Sequence, residues 1–131
     1  MEEDNAPKPK ILLVEDKESL RMVYGEYLRM EGFDITEAKD GEEAISLATS
    51  GNFDLMLLDI MLPKVDGLEV LKTLKANPKT KQLKIYLLTV LGRDAVIQQG
   101  FEMGADGYLI KDKITPAMIK DEILSALAPK A

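Results

Sequence analysis

Asp59 is the one carboxylate inside Leu55-Met56-Leu57-Leu58-Asp59-Ile60-Met61-Leu62-Pro63, with apolar residues before and after it and Pro63 ending the run. Such a run reads as a strand covered on both faces, as in a parallel sheet. A buried carboxylate without a partner is costly, so Asp59 belongs at the strand's open end or beside a cation. Taken alone it is equally an ordinary first residue of the loop that follows a strand. Its company argues otherwise. Other short apolar runs end in Glu15 and Asp16, in Thr89 and in Lys111, and three acids, a hydroxyl and an ammonium would meet at one rim if those runs are parallel strands.

Three clustered carboxylates repel one another, by roughly 4 kcal/mol for two unit charges about 4 Å apart at an effective dielectric near 20. The cluster must raise a carboxyl pKa, bind a divalent cation, or both. With oxygen donors alone, magnesium is the expected ion and manganese its substitute. A metal beside Asp59 can also bind the oxygens of an incoming phosphoryl group, leaving Asp59 as the nucleophile that forms an aspartyl phosphate. Such transfer needs positioning and charge neutralisation more than acid–base chemistry. Lys111 offers a compact positive charge and Thr89 a hydroxyl that can swing towards the phosphate. Each has a plainer reading: acids that open a helix where its dipole favours them, a surface lysine, a strand threonine. Joint placement at predicted strand ends is what weighs against all of these.

Composition narrows the field. The chain has 131 residues, 46% hydrophobic and 31% charged, enough for one sizeable core and too short for two. It contains no histidine and no cysteine, which removes most hydrolase triads and transition-metal sites. The lack of disulfides fits a reducing cytoplasm, the expected location. The net charge of −6 disfavours direct nucleic-acid binding. No apolar run approaches the roughly 20 residues of a membrane span, and the acidic start Met1-Glu2-Glu3-Asp4 is unlike a signal peptide.

The elements that must position these residues alternate. Residues 1–9 read as a flexible lead-in, 10–128 as one domain and 129–131 as a tail. Strands are predicted at Lys10–Val14, Phe33–Ala38 (more polar, hence an edge), Phe53–Asp59, Leu83–Thr89 and Tyr108–Ile110. Helical spacing marks Lys17–Met30, with Gly32 as its stop, and a helix opened by a capping box of Asp40 and Glu43. Further helices follow Gly67, span Arg93–Met103, and start at Thr115-Pro116, a cap with Pro in the first turn. Five such alternations imply a parallel sheet with right-handed crossovers and helices on both faces. Ligands of such sheets gather at the carboxyl ends of the strands.

Lys10–Asp16, Asp54–Gly67, Ile85–Thr89 and Ala105–Lys111 together resemble the receiver domain of two-component response regulators, and the similarity runs from Lys10 to Leu127. The resemblance implies an α/β, flavodoxin-like (βα)5 three-layer sandwich with a parallel five-stranded sheet in the order 2-1-3-4-5. It also implies phosphorylation of Asp59 by the phosphohistidine of a sensor histidine kinase or histidine phosphotransfer protein. Asp16 would then ligate magnesium directly, Glu15 would assist, and the Met61 carbonyl would be a further ligand. Thr89 and Tyr108 would form a switch pair, the hydroxyl moving to the phosphate and the ring turning inward behind it. Such a domain is a signalling phosphoacceptor rather than an enzyme, although it assists its own phosphorylation and slow dephosphorylation. A face made by the fourth helix, fifth strand and fifth helix would change partners, as a monomer or a weak dimer.

Two departures stand out. Val90 follows the switch threonine where the family commonly has a small residue, which would narrow access to Asp59. Asp112 follows Lys111 where the family usually has proline, often after a cis bond; without proline that bond costs on the order of 3 kcal/mol, so the loop should take another path. Competing readings are a pseudo-receiver that keeps the fold without phosphorylation, an FMN-binding flavodoxin-like module, and a small magnesium phosphatase. The acidic start of the loop after the first strand, Glu15-Asp16-Lys17-Glu18, disfavours the flavin phosphate, and Met61 stands where the phosphatase would want a second acid. Only Pro129-Lys130-Ala131 follow the last predicted helix, so the downstream protein target stays open between docking to another protein and a neighbour on a longer chain.

Overall fold

A computed structural model describes residues 8–90 and 93–128. The expected lead-in lies outside them up to residue 7, and so does the tail. The elements run β1 Lys10–Val14, α1 Glu18–Met30, β2 Asp34–Ala38, α2 Gly41–Ser50, β3 Leu55–Asp59, α3 Gly67–Ala76, β4 Lys84–Thr89, α4 Asp94–Glu102, β5 Gly107–Ile110 and α5 Pro116–Leu127. A single 3-10 turn, Lys111–Lys113, separates β5 from α5. The strands form one sheet in the order β2-β1-β3-β4-β5, with every pairing parallel. The polar strand β2 is an edge, as its polarity predicts.

Side chains of the central strands divide between the two faces. Leu12, Val14, Met56, Leu58, Ile85 and Leu87 pack with Ala44 and Ala48 of α2 and Val70, Leu71 and Leu74 of α3. Ile11, Leu13, Leu55, Leu57 and Leu109 pack on the other face with Tyr24 and Leu28 of α1 and Ile119 and Ile123 of α5. Both faces of β1 and β3 are therefore withdrawn from water, which explains why those strands read as unbroken apolar runs. At about 1.5–3 kcal/mol per fully buried aliphatic side chain, these two half-cores dominate the favourable side of folding.

Most elements begin or end within a residue of the predicted bounds, and the differences have local causes. β3 starts at Leu55 rather than Phe53 because Asp54 closes the end of the β1–β3 pair: its amide donates to the Lys10 carbonyl at 2.7 Å and its Oδ2 accepts from the Lys10 amide at 2.8 Å. The predicted capping box is present but closes one residue early. Asp40 Oδ1 accepts from Glu43 N at 2.8 Å, while Glu43 Oε1 reaches the amide of Lys39 rather than that of Asp40, also at 2.8 Å. Arg93 and Met103, expected inside α4, sit at its caps. Gly32 stops α1 with φ +98°, the left-handed value predicted for it.

The loop from Ile60 to Asp66 folds back hard on the end of β3. Gly67 N donates to the Ile60 carbonyl at 2.8 Å, and a Cβ at Gly67 would fall 2.5 Å from the Asp59 carbonyl oxygen. Only glycine fits so close an approach of backbone to backbone. Asp66 then caps α3 by accepting from Glu69 N at 3.1 Å. Among the described residues no helix is long and apolar enough to cross a membrane.

Candidate functional site

Four strands deliver their last residues to one end of the sheet. Asp59 ends β3 and is 2% exposed; Thr89 ends β4 and is 1% exposed. Glu15 follows β1, extends its pairing with β2 through an amide bond to the Ala38 carbonyl at 3.1 Å, and is wholly buried. Asp16, the next residue, is exposed at the rim. Carboxylate oxygens of Glu15, Asp16 and Asp59 lie within 4.8 Å of one another. Lys111, immediately after β5, puts Nζ 2.9 Å from Asp59 Oδ2 and 2.8 Å from Glu15 Oε1. All five predicted strand-end residues thus come together.

The Asp59 carboxylate is held at both oxygens: Oδ1 accepts from the Met61 amide at 3.0 Å and Oδ2 accepts from Lys111. Glu15 is held as well. Its Oε2 accepts from Lys17 N at 3.0 Å, and Oε1 lies 2.8 Å from the Lys111 ammonium, which it shares with Asp59. One ammonium is shared by two buried carboxylates, and three acids against one ammonium leave the set with a formal net charge of about −2. The donors are all hard oxygens. These residues fit a hard dication bound by Glu15, Asp16 and Asp59.

Burial works against the charge on Lys111, but its contacts with Glu15 and Asp59 outweigh that and hold its pKa above the ordinary lysine value. Tyr24, on α1 beneath the site, has its phenol pushed up mainly by burial; Lys111 opposes the shift and Glu15 and Asp59 reinforce it. This tyrosine lies within the field of the acidic cluster and can report on it.

A cavity of about 330 Å³ opens above these groups, and its wall also takes in Lys17, Met61 and Val90. At about 30 Å³ per water it has room for a hydrated ion and a phosphoryl group. A larger hollow of about 450 Å³ between the Ile60–Asp66 loop and α4 includes none of the three acids, so size alone does not locate the chemistry. Val90, 42% exposed, forms part of the cavity mouth, where the sequence places a constriction. After Lys111 the chain enters the 3-10 turn with no cis peptide bond among the described residues.

Among the described residues Thr89 Oγ1 donates only to the Val90 carbonyl, at a long 3.5 Å, so its hydroxyl is weakly committed. Tyr108 points outward, 44% exposed, with its ring edge-on to Phe101 of α4 at a centroid distance of 6.0 Å and an interplanar angle of 84°. Two neighbours of the site were not foreseen. They are Phe101 of α4 and Arg21 of α1, whose Nη1 donates to the Glu15 carbonyl at 2.7 Å. The signal for Arg21 was its place one turn into the helix that the acids precede.

A parallel α/β sandwich with acids, a hydroxyl and a lysine at its strand ends defines a class, and the comparisons place the chain within it. Chemotaxis response regulator CheY4 of Vibrio cholerae superposes with a TM-score of 0.86 over 92% of this chain and 100% of its own, at 28% identity. The receiver domain of sensor histidine kinase PA1611 from Pseudomonas aeruginosa, solved with a magnesium ion coordinated in its active-site cleft, gives 0.82 over 91% and 97%, at 26% identity. Residues 11–123 match the family described as "Response regulator receiver domain", and the chain belongs to that family. Transcriptional regulatory protein ResD of Bacillus subtilis is 40% identical over 108 residues, covering 82% of this chain and 44% of that protein. SrrA of Staphylococcus aureus is 41% identical over 102 residues, covering 78% and 41%. The chain therefore spans less than half the length of these relatives.

Proposed function

We propose that this receiver domain, residues 10–128, accepts a phosphoryl group on Asp59 from the phosphohistidine of a sensor histidine kinase or histidine phosphotransfer protein, in a magnesium-dependent reaction. The observation that carries the reading is the crowding of Glu15, Asp16 and Asp59 within 4.8 Å, with a single lysine ammonium shared between the two buried acids. Bound magnesium would neutralise the acids and the phosphoryl oxygens together. Glu15, Asp16, Asp59 and the Met61 carbonyl would hold it, and manganese would serve in its place.

The rest of the reaction belongs to the chain's own residues. Met61 N keeps the Asp59 carboxylate aimed into the cavity. One carboxylate oxygen attacks phosphorus, the O–P bond forms as the P–N bond to the donor imidazole breaks, and the imidazole, already protonated at its other ring nitrogen, leaves as the neutral ring. Lys111, already on Asp59, shifts to a phosphoryl oxygen. Thr89 turns its hydroxyl towards the new dianion, and Tyr108 follows into the space it leaves, altering the α4–β5–α5 surface read by a downstream protein. The relatives named as transcriptional regulators suggest a transcriptional output exerted through another protein or another part of a longer chain. The net charge of −6 argues against direct nucleic-acid contact by this piece.

The test is exposure to acetyl phosphate with magnesium, read by intact mass. The expected result is a gain of one phosphate that disappears with a chelator and in Asp59→Asn. No gain from acetyl phosphate or from any phosphorylated kinase would instead favour a pseudo-receiver, a reading weakened by the presence of every residue the reaction needs.

A further inference from the structure

The peptide between Glu15 and Asp16 is gripped from outside the cavity. Arg21 Nη1 donates to the Glu15 carbonyl at 2.7 Å, and Arg21 Nε lies 3.2 Å from Glu37 Oε1 on the edge strand β2. The other Glu37 oxygen lies 2.9 Å from Arg29 Nη1, and Arg29 Nη2 donates to the Ile35 carbonyl at 3.0 Å. Arg21 is only 15% exposed, so these charge-assisted bonds keep much of their strength. Gly25 stands between the two arginines on the same face of α1, and a Cβ there would fall 2.9 Å from Glu37 Oε2 and 3.3 Å from Arg29 Nη1. A glycine inside a helix is unfavourable; this one leaves room for the shared carboxylate.

We infer that Arg21, anchored by Glu37, is a positioning residue for the metal-binding acids. The peptide unit is rigid and planar. Glu15 leaves from the α-carbon on one side of it and Asp16 from the α-carbon on the other. With the Glu15 amide held by the Ala38 carbonyl at 3.1 Å, fixing this carbonyl oxygen as well restricts the α-carbons from which both carboxylates depart. The Arg21 side chain bonds the Glu15 carbonyl and Glu37 rather than any of the three site carboxylates, and it acts through that peptide. The inference rests on the proposed magnesium site.

Positioning and plain electrostatics predict opposite signs, which makes the idea testable. Removing a cation near a dication site should tighten metal binding by Coulomb's law. Removing a positioning residue should weaken it, by about tenfold at the lower end for outer partners of a metal site. Titration calorimetry of the whole chain with Mg²⁺ should therefore show about tenfold weaker binding for Arg21→Met. Arg21→Lys should recover only part of the loss, because an ammonium lacks the fork that reaches both partners. Glu37→Gln should weaken binding in the same direction while leaving the arginine charge in place. Gly25→Ala, which favours the helix but displaces the Glu37 carboxylate, should weaken binding with an unchanged or higher Tm, and it serves if Arg21→Met does not fold. Equal or tighter binding in a folded Arg21→Met, or unchanged binding in both Glu37→Gln and Gly25→Ala, overturns the inference alone. A wild-type chain that takes up no magnesium overturns it together with the proposed site.

Discussion

The Lys111 ammonium lies 2.9 Å from Asp59 Oδ2, with Asp59 2% exposed and the lysine side chain 12% exposed. The pair does two jobs. It neutralises part of an acidic cluster that would otherwise repel itself, and it keeps a cation where phosphoryl oxygens are to arrive. Removing one partner of a buried ion pair leaves the other uncompensated, at a cost of about 3–5 kcal/mol. Lys111→Met should therefore lose about 3 kcal/mol of stability in a chelating buffer, measured by urea unfolding. Magnesium should restore much of that loss, since a dication supplies the missing positive charge. A variant equally unstable with and without the ion would show that Lys111 and the metal answer different needs.

Magnesium should also stabilise the wild-type chain by ordinary linkage, by about 2.7 kcal/mol at a free concentration of 100 times Kd. Tyr24, within the field of Glu15 and Asp59, gives a spectroscopic readout of the same event when its ring alone is isotope-labelled among the chain's four tyrosines. Glu15→Gln removes one of the three charges and should reduce both the shift in Tm and the tyrosine response. A full response in that variant would remove Glu15 from the metal set.

The lysine prediction also shows what the sequence could and could not disclose. Glu15, Asp16, Asp59, Thr89 and Lys111 were legible because each ends an apolar run, and a parallel sheet aligns those ends without further information. The capping box was legible because its contacts span only a few residues, although the partner of Glu43 proved to be the Lys39 amide. The bonds from Asp54 to Lys10, 44 positions apart, were not legible, and they set where β3 begins. The same holds for Arg21 and Glu37, which meet only after α1 has packed against β2. Local pattern identifies what a residue can do, while pairing across the sheet decides which neighbours hold it in place.

Asp40 supplies a pH prediction. The Glu43 amide bond lowers its pKa most; burial opposes this, and the Lys64 charge adds a smaller lowering. A carboxyl with a folded-state pKa below its unfolded value contributes stability that is present above the unfolded value and is lost as pH falls through the folded one. The cap of α2 should therefore survive to a pH below the ordinary aspartate value near 3.8 and fray beneath it. Following the Asp40 carboxyl carbon by NMR should place its midpoint on the acid side of that value. Lys64→Met should move the midpoint up only slightly, because the amide bond is the larger cause. A return of Asp40 to ordinary behaviour in that variant would reverse the ranking.

Tyr108 and Phe101 make the last case. Their edge-to-face contact, 6.0 Å between centroids, sets the tyrosine ring against α4 with 44% of its surface in water. Such pairs contribute about 0.5–1.5 kcal/mol beyond area burial, enough to move a two-state rotamer equilibrium by roughly two- to tenfold. Among the described residues the Thr89 hydroxyl makes one hydrogen bond, 3.5 Å long. The resistance to switching should therefore sit at the ring rather than at the hydroxyl. Phe101→Ala should raise the inward population of Tyr108 before any phosphorylation, visible as a shifted signal from a fluorinated tyrosine at this position, while the aspartyl-phosphate yield from acetyl phosphate changes little. If the ring stays outward in Phe101→Ala, the edge contact is incidental and does not set the outward state.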